Sequence, residues 1–368
     1  MSDKRRIYIF CVDTIGGGGT EVWVRGLIKS LASEFNICLV SGSVNSEIIQ
    51  YLSEIKRIVL PKRPAVLRLL SFSIFSTFVS IKKSDLIHVV GAITFKKSDL
   101  NTIHFYHREN FRLRRQSIYQ NDSKVRIVNR LIYTVVCGIL ETIVYSKYFS
   151  KKIATVSPEM CSLLEKDLSR QVFLTHNWIN PVEIGSNMMQ STEPYLLFVG
   201  GDWERKGLND VIQSLAKLKK YFPEISLYVA GEGPRSVFEK KAFNLGISEN
   251  VHWLGRVPRD KIPYSTNSIL VCASSFEVSP LIFLEAASCG SPVISYPTFG
   301  TLEAVQDGYL IACKPTIEEL TQNLIILLSN NDLRNRMSEA GLLTRNTRNW
   351  KKVISETKSL YYKNDSPI

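Results

Sequence analysis

Two carboxylates, Glu277 and Glu285, stand eight positions apart in SSFEVSPLIFLEAASCGSPVIS (274–295), a stretch otherwise made of apolar and small residues. An acid set inside IFLEAAS is costly to bury unless hydrogen-bond donors or a cation meet it. Sugar and ribose hydroxyls are such donors; a salt bridge to a core Arg or Lys is the other solution. A second group of chemically active residues lies upstream, where FVGGDWERKGLNDVI (198–212) sets Arg205 and Lys206 just before Gly207 and a helical pattern. Two cations beside a helix N-terminus suit a diphosphate, and a solvated basic pair in an exposed loop is the plainer reading. Near the start, TIGGGGTEVWVRGLIKSL (14–31) offers four consecutive glycines, Gly16 to Gly19, ahead of another helix. Such a loop is a tight turn, a dinucleotide loop, or a loop that faces a phosphate or sugar. The dinucleotide pattern fits poorly, because it needs a third glycine where Glu21 stands and an acid at the end of NICLVSGS, which has none.

These residues need elements to hold them. RIYIFCVD, NICLVSG, DLIHVVG and NTIHFYH read as strands in the first half, and YLLFVGG, ISLYVAGEG, VHWLG, SILVCAS and SPVISYP in the second. Amphipathic helical patterns such as LNDVIQSLAKLKKYF alternate with them, so each half is expected to be a parallel sheet covered by helices. In such sheets ligands sit outside the carboxyl ends of the strands, where Glu277, Arg205 and the glycines fall. The expected fold is therefore α/β with two Rossmann-like domains, residues 1–180 and 190–348, joined by a hinge in the polar stretch 177–194. A chain of 368 residues, 45% hydrophobic, is long enough for two such cores.

Taken together, the E-x7-E pair Glu277/Glu285, FVGGDWERKGLNDVI, LYVAGEGP, VHWLGRVPRDKIP and the GGTE loop resemble the retaining nucleotide-sugar glycosyltransferases of the GT-B fold. The resemblance implies two domains facing each other across a cleft, with the last helix, 349–368, packing back on the first domain. It implies that Glu285 binds the donor ribose and Glu277 a hydroxyl of the donor sugar, while Arg205 and Lys206 neutralise the leaving diphosphate. Backbone groups around Arg256 would meet the base, N–H groups near Ser279 and Leu281 would face sugar or phosphate, and Gly18 and Gly19 would close over the donor. The family also places a histidine after a strand near the donor sugar. NTIHFYHREN offers His104 and His107; His107, at the strand's end, is preferred, with His104 three residues earlier facing the core. His88 and His252 read as structural. The chain departs from the pattern at Val278, where the family has glycine, and at Gly201, where it often has arginine; the second change leaves Arg205 and Lys206 as the main phosphate cations.

The resemblance implies a UDP- or GDP-linked sugar as substrate, no cofactor and no metal, in assembly of cell-surface polysaccharide, lipopolysaccharide or glycolipid. An epimerase or phosphorylase of the same fold, or a catalytically silent binding partner, remains as an alternative. Residues 1–180 carry 26 Lys and Arg against 14 Asp and Glu, whereas the remainder has 20 of each. The whole excess of +12 thus lies in the half that binds acceptor in this family, in clusters such as KRPAVLR, HRENFRLRRQ and SKYFSKK. That bias points to an anionic lipid-linked or glycan acceptor and to peripheral contact with an anionic membrane, and not to nucleic acid, for which no module is visible. The apolar stretches 64–81 and 127–145 hold Arg68, Arg130 and Glu141 and read as core helices, with shallow membrane contact as the other possibility. Seven scattered cysteines without metal-ligand spacing, and a first apolar run too short for a signal peptide, suggest the cytoplasm, at the inner face of the membrane.

Overall fold

A computed structural model describes residues 4–114, 124–178 and 192–362. The chain divides into two units, residues 1–177 with 350–368, and residues 178–349. The polar stretch expected to act as a hinge falls largely on residues 179–191, outside the described residues.

In the first unit seven parallel strands are β1 (Arg6–Phe10), β2 (Asn36–Ser41), β3 (Glu54–Arg57), β4 (Leu86–Val90), β5 (Ser98–Ile103), β6 (Ser150–Thr155) and β7 (Phe173–Leu174). Their spatial order is β3-β2-β1-β4-β5-β6-β7. β1 and β2 are buried along nearly their whole length, as strands covered on both faces must be. The order reverses between β1 and β4, which opens a crevice at their carboxyl ends. Helices α1 (Gly19–Leu31), α2 (Ala65–Thr77), α3 (His107–Arg114), α4 (Lys124–Val144) and α5 (Pro158–Leu168) connect the strands.

The second unit has six parallel strands, β8 (Tyr195–Val199), β9 (Leu227–Ala230), β10 (Val251–Gly255), β11 (Ser268–Cys272), β12 (Val293–Ser295) and β13 (Leu310–Ala312), in the order β10-β9-β8-β11-β12-β13. Here the reversal lies between β8 and β11. Its helices are α6 (Leu208–Leu218), α7 (Arg235–Asn244), α8 (Leu281–Ser288), α9 (Thr301–Gln306), α10 (Ile317–Ser329) and α11 (Asn331–Thr347). In α6 the buried residues Leu208, Val211, Ile212, Leu215 and Leu218 recur at helical spacing and pack on Phe198 and Leu227 of the sheet. The last helix, α12 (Trp350–Tyr362), returns to the first unit and packs on α1. There the Tyr361 hydroxyl lies 2.7 Å from Nδ1 of buried His88, whose Nε2 meets Thr102 Oγ1 at 2.7 Å, and Lys152 Nζ donates to the Leu360 carbonyl. His88 is thus a tie between sheet and helix.

Each apolar stretch of the first unit packs one face into the core, with Leu69 and Phe72 of α2 and Cys137 and Leu140 of α4, and leaves an apolar face exposed. α4 buries Cys137, Leu140, Glu141 and Val144, yet Val128, Ile132, Val135, Ile139 and Ile143 are exposed at helical spacing along its other side. α2 likewise exposes Leu67, Ile74 and Phe75, with Phe78 just past its end, while Arg68 turns inward to pair with Asp13. The one buried acid of α4 has a structural task. Glu141 accepts the backbone N–H of His107 at 2.6 Å and of Arg108 at 3.1 Å, capping the first turn of α3.

Burial pushes the Glu141 carboxyl up to about 7, against the pull of those two N–H groups and the Arg108 guanidinium. A carboxyl raised in the folded state favours the protonated form. Its contribution to stability is therefore full below about 4.5 and is lost as pH rises towards 7. At about 1.4 kcal/mol per pH unit, this amounts to roughly 3 kcal/mol. Glu141→Gln lacks the titration, so the difference in stability between wild type and variant should fall steadily from pH 5 to pH 7.5 in urea melts; a constant difference would refute the assignment.

Candidate active site

The loops that follow β8 and β11 flank the reversal in the second sheet, and they carry the charged residues that the sequence singled out. After β8 the chain runs through Gly200 and Gly201 to Arg205, Lys206 and Gly207. After β11 it runs through Ser274 and Glu277 to Pro280, which precedes α8. Gly207 joins the two loops sterically. Its φ of 75° is left-handed, and a Cβ there would lie 2.1 Å from the Ala273 carbonyl oxygen, so only glycine lets the two backbones approach this closely.

Glu277 is the centre of the cluster. Its Oε1 accepts from Arg205 Nη1 and Lys206 Nζ, both at 2.9 Å, and from Ser274 Oγ at 3.1 Å. Oε2 accepts no hydrogen bond among the described residues. Arg205 is also held by the Phe276 carbonyl at 2.7 Å and by Asp202 at 3.1 Å. The expectation of a solvated basic pair is corrected here: the Arg205 and Lys206 side chains are only 15% and 14% exposed, because the carboxylate between them compensates their charge. Burial by itself would raise the Glu277 carboxyl, but the Lys206 ammonium and the Arg205 guanidinium outweigh it and hold it below the usual carboxylate value.

Glu285 lies one turn inside α8 and is 5% exposed. The alternative left open by the sequence, a salt bridge, is present: Arg259 Nη2 stands 2.7 Å from Oε1, and the Tyr264 hydroxyl donates to Oε2 at 3.2 Å. Neither partner was singled out from sequence. The need of a buried acid for a counter-charge was the available signal, and VPRDKIPY, which contains both residues, was the place to look. Arg256 is exposed after β10 and makes no hydrogen bond or ion pair among the described residues. Leu281 opens α8 and is buried; Ser279 precedes the Pro280 cap and packs beneath Gly300.

The remaining residues belong to the first unit. Gly18 caps α1 and Gly19 is its first residue, both exposed. The Glu21 side chain folds back over the loop, where a Cβ on Gly18 would lie 2.5 Å from its Oε2, and Arg25 Nη1 ties down the carbonyls of Thr14 and Gly16 at 2.7 and 2.8 Å. At the reversal of this sheet lies a pocket of about 320 Å³ lined by Asp13, Arg68, His104, His107, Tyr133 and Glu141 among others. The order of the two histidines is corrected. β5 ends at Ile103, so His104 stands directly after the strand, and His107 starts α3, where Glu141 holds its N–H. His104 packs against Trp23, and its Nε2 is buried without a hydrogen-bond partner among the described residues. Burial pushes His104 down to about 3 and His107 to about 4, so both rings are neutral near pH 7. His252 stacks on Tyr228, a structural place. Among the described residues no group of three or more His, Cys, Asp or Glu could hold a metal ion.

Residues 182–343 match the family described as glycosyl transferases group 1. An uncharacterized glycosyltransferase of Haemophilus influenzae is 25% identical over 375 residues, 97% of this chain and 99% of its own length. The lipopolysaccharide glucosyltransferase WaaG of Escherichia coli K12 is 30% identical over 158 residues, 42% of each chain. A crystal structure of WaaG superposes with a TM-score of 0.79 at 16% identity, covering 97% of this chain and 100% of that one. HepE of Anabaena in complex with UDP-glucose gives a TM-score of 0.69 at 13% identity over 96% and 99%. These structural likenesses establish the fold, that of GT-B glycosyltransferases.

The charge cluster makes a test independent of activity. A carboxyl held low in the folded state contributes stability that is present above about 4.5 and lost as pH falls through its lowered value. Glu277→Gln leaves two buried cations facing each other, which should cost about 3 kcal/mol at pH 7. The loss should shrink as pH falls through that lowered value, where wild type also protonates; equal stability of the two proteins at pH 7 would refute the cluster.

Proposed function

We propose that this chain is a glycosyltransferase of the group 1 family that residues 182–343 match, and that it moves a sugar from a nucleoside-diphosphate sugar to an acceptor hydroxyl with retention of configuration. The carrying observation is the Glu277 cluster: one carboxylate oxygen engaged by two cations and the other left open, at the point where the second sheet reverses. The diphosphate binds to Arg205 and Lys206 and to N–H groups at the start of α8, near Ser279 and Leu281. Glu277 Oε2 takes a hydroxyl of the donor sugar, and Glu285 takes the ribose diol. Backbone groups near Arg256 meet the base.

As the bond from the anomeric carbon to the diphosphate oxygen breaks, positive charge grows on the sugar and negative charge on the leaving group. Arg205 and Lys206 stabilise the latter. The acceptor hydroxyl attacks the face being vacated and gives its proton to the departing diphosphate. No metal is needed in this scheme, because fixed cations meet the developing charge. The acceptor sits at the pocket of the first unit, beside His104 and His107, whose neutral rings are suited to hydrogen bonding. The donor is UDP- or GDP-linked; HepE, which has this fold, is known in complex with UDP-glucose.

The acceptor is a lipid-linked saccharide of cell-surface polysaccharide, lipopolysaccharide or glycolipid assembly, met at the cytoplasmic face of the membrane. WaaG, one relative, is a lipopolysaccharide glucosyltransferase. A second observation supports this reading. Ile127–Val144 is long and apolar enough by length and composition to cross a membrane, and 22% of it is buried. Because Cys137, Leu140 and Glu141 of that helix are fixed in the protein while its other side is apolar and exposed, the helix suits a position flat on a bilayer better than one across it. Exposed Lys62, Arg63, Lys82 and Lys83 flank the two ends of α2, whose own apolar residues are exposed too. Of the arginines in HRENFRLRRQ, Arg112 pairs with Glu109 at 2.7 Å, and Arg115 lies outside the described residues.

Arg205→Ala and Lys206→Ala should each lower kcat about 100-fold with the natural donor, as for loss of a charge-stabilising group. Wild-type turnover should survive EDTA; near-normal kcat in both variants, or donor hydrolysis with no transfer to any acceptor, would overturn the mechanism.

The protein should sediment with anionic but not zwitterionic vesicles at low ionic strength, at about 1 kcal/mol per cation that reaches the surface. Replacing Ile132, Val135 and Ile139 together by Gln should weaken this without altering nucleotide affinity. Indifference of wild type to anionic vesicles would remove the membrane from the proposal.

A further inference from the structure

Glu285 is a buried acid in a helix whose other residues are Leu, Ile, Phe, Ala and Ser. A leucine there would be the easier way to fill the space, since well-packed apolar residues commonly replace buried ion pairs without loss. The geometry of its partner is also unlike that of a purely neutralising arginine. Arg259, in the short turn Arg259–Lys261, stands with Nη2 2.7 Å from Oε1, and the hydrogen-bonded paired fork that binds a carboxylate best is not formed among the described residues. Its Nε is buried and has no hydrogen-bond partner among the described residues.

An ionised carboxylate offers roughly four acceptor positions. Arg259 takes one on Oε1, and the Tyr264 hydroxyl takes one on Oε2, so each oxygen keeps a position open. Two open acceptors beside one unspent N–H donor form the complement of a vicinal diol, which presents two O–H donors and oxygens able to accept. Deepening the reading of this site as a nucleoside-diphosphate-sugar site, on which it rests, we infer that Arg259 is a positioning residue for the donor's ribose: it fixes the Glu285 carboxylate through Oε1 so that the outer positions of both oxygens meet the 2′- and 3′-hydroxyls. Arg259 thereby sets the preference for ribonucleotides over 2′-deoxyribonucleotides. Arg256, three residues earlier and exposed, was expected at the base through its backbone; Arg259 was not singled out from sequence.

The test is calorimetry on the full chain with UDP, GDP and their 2′-deoxy counterparts. Wild type should bind the ribo form of its preferred nucleotide about 10-fold or more tightly than the 2′-deoxy form, the order expected when a buried polar group loses its hydroxyl partner. In Arg259→Gln the ribo form should weaken about 10-fold while the 2′-deoxy form changes little, so the preference collapses to within about threefold. With donor sugar, KM should rise more than kcat falls. Arg259→Lys should restore part of the preference, because it returns the charge without the planar fork. A variant that keeps the wild-type preference, or loses both forms in equal measure, overturns the positioning role. Should Arg259→Gln not fold, Arg259→Lys decides: a preference reduced by about threefold or more supports the role, and an unchanged preference overturns it. Wild type that binds UDP or GDP with no ribose preference refutes this inference alone, whereas wild type that binds neither brings down the reading of the site itself.

Discussion

The Glu277 carboxylate, shared by Arg205 and Lys206, is the interaction on which the second unit's site depends. Each of the three charges is nearly out of water, and none is tolerable there alone. Their mutual compensation joins the loops after β8 and β11 at the place where the parallel sheet reverses, and Gly207 lets those loops meet. The carboxylate thereby holds both cations in fixed positions at the reversal, so that neither is left bare.

Much of this was legible in the sequence, for identifiable reasons. Strands such as YLLFV and SILVC are buried on both sides and so appear as uninterrupted apolar runs. Acids and cations placed just after them fall at the carboxyl edge by construction. Other strands were silent. EIKR of β3 lies at the sheet edge with alternate residues wet, SKKIAT of β6 opens with two lysines, and β7 is two residues long. Tertiary pairing makes these strands, and local pattern does not.

The errors have equally specific causes. The solvated alternative for Arg205 and Lys206 stayed open because sequence spacing hides Glu277, which arrives from more than seventy residues away. His107 looked like the end of a strand because IHFYH carries large rings with no glycine or proline to break it; the strand ends at Ile103, and His107 instead starts α3, where Glu141, a distant residue, holds its N–H. α2 and α4 looked like core because their composition is apolar, and composition does not say which face meets the protein. In each case the missing information was a long-range partner.

The return of α12 to the first unit has a consequence for how the molecule is made. A ribosome releases β1 to β7, then the entire second unit, and only afterwards the helix that covers His88. During that interval the imidazole and Thr102 lack the Tyr361 hydroxyl, and the groove along α1 lies open. The second unit is contiguous in sequence and can close on itself as soon as it emerges. The first unit, although translated earlier, is therefore the later to be completed, and its unfinished surface is one a chaperone would have to cover for the time it takes to synthesise the whole of its neighbour.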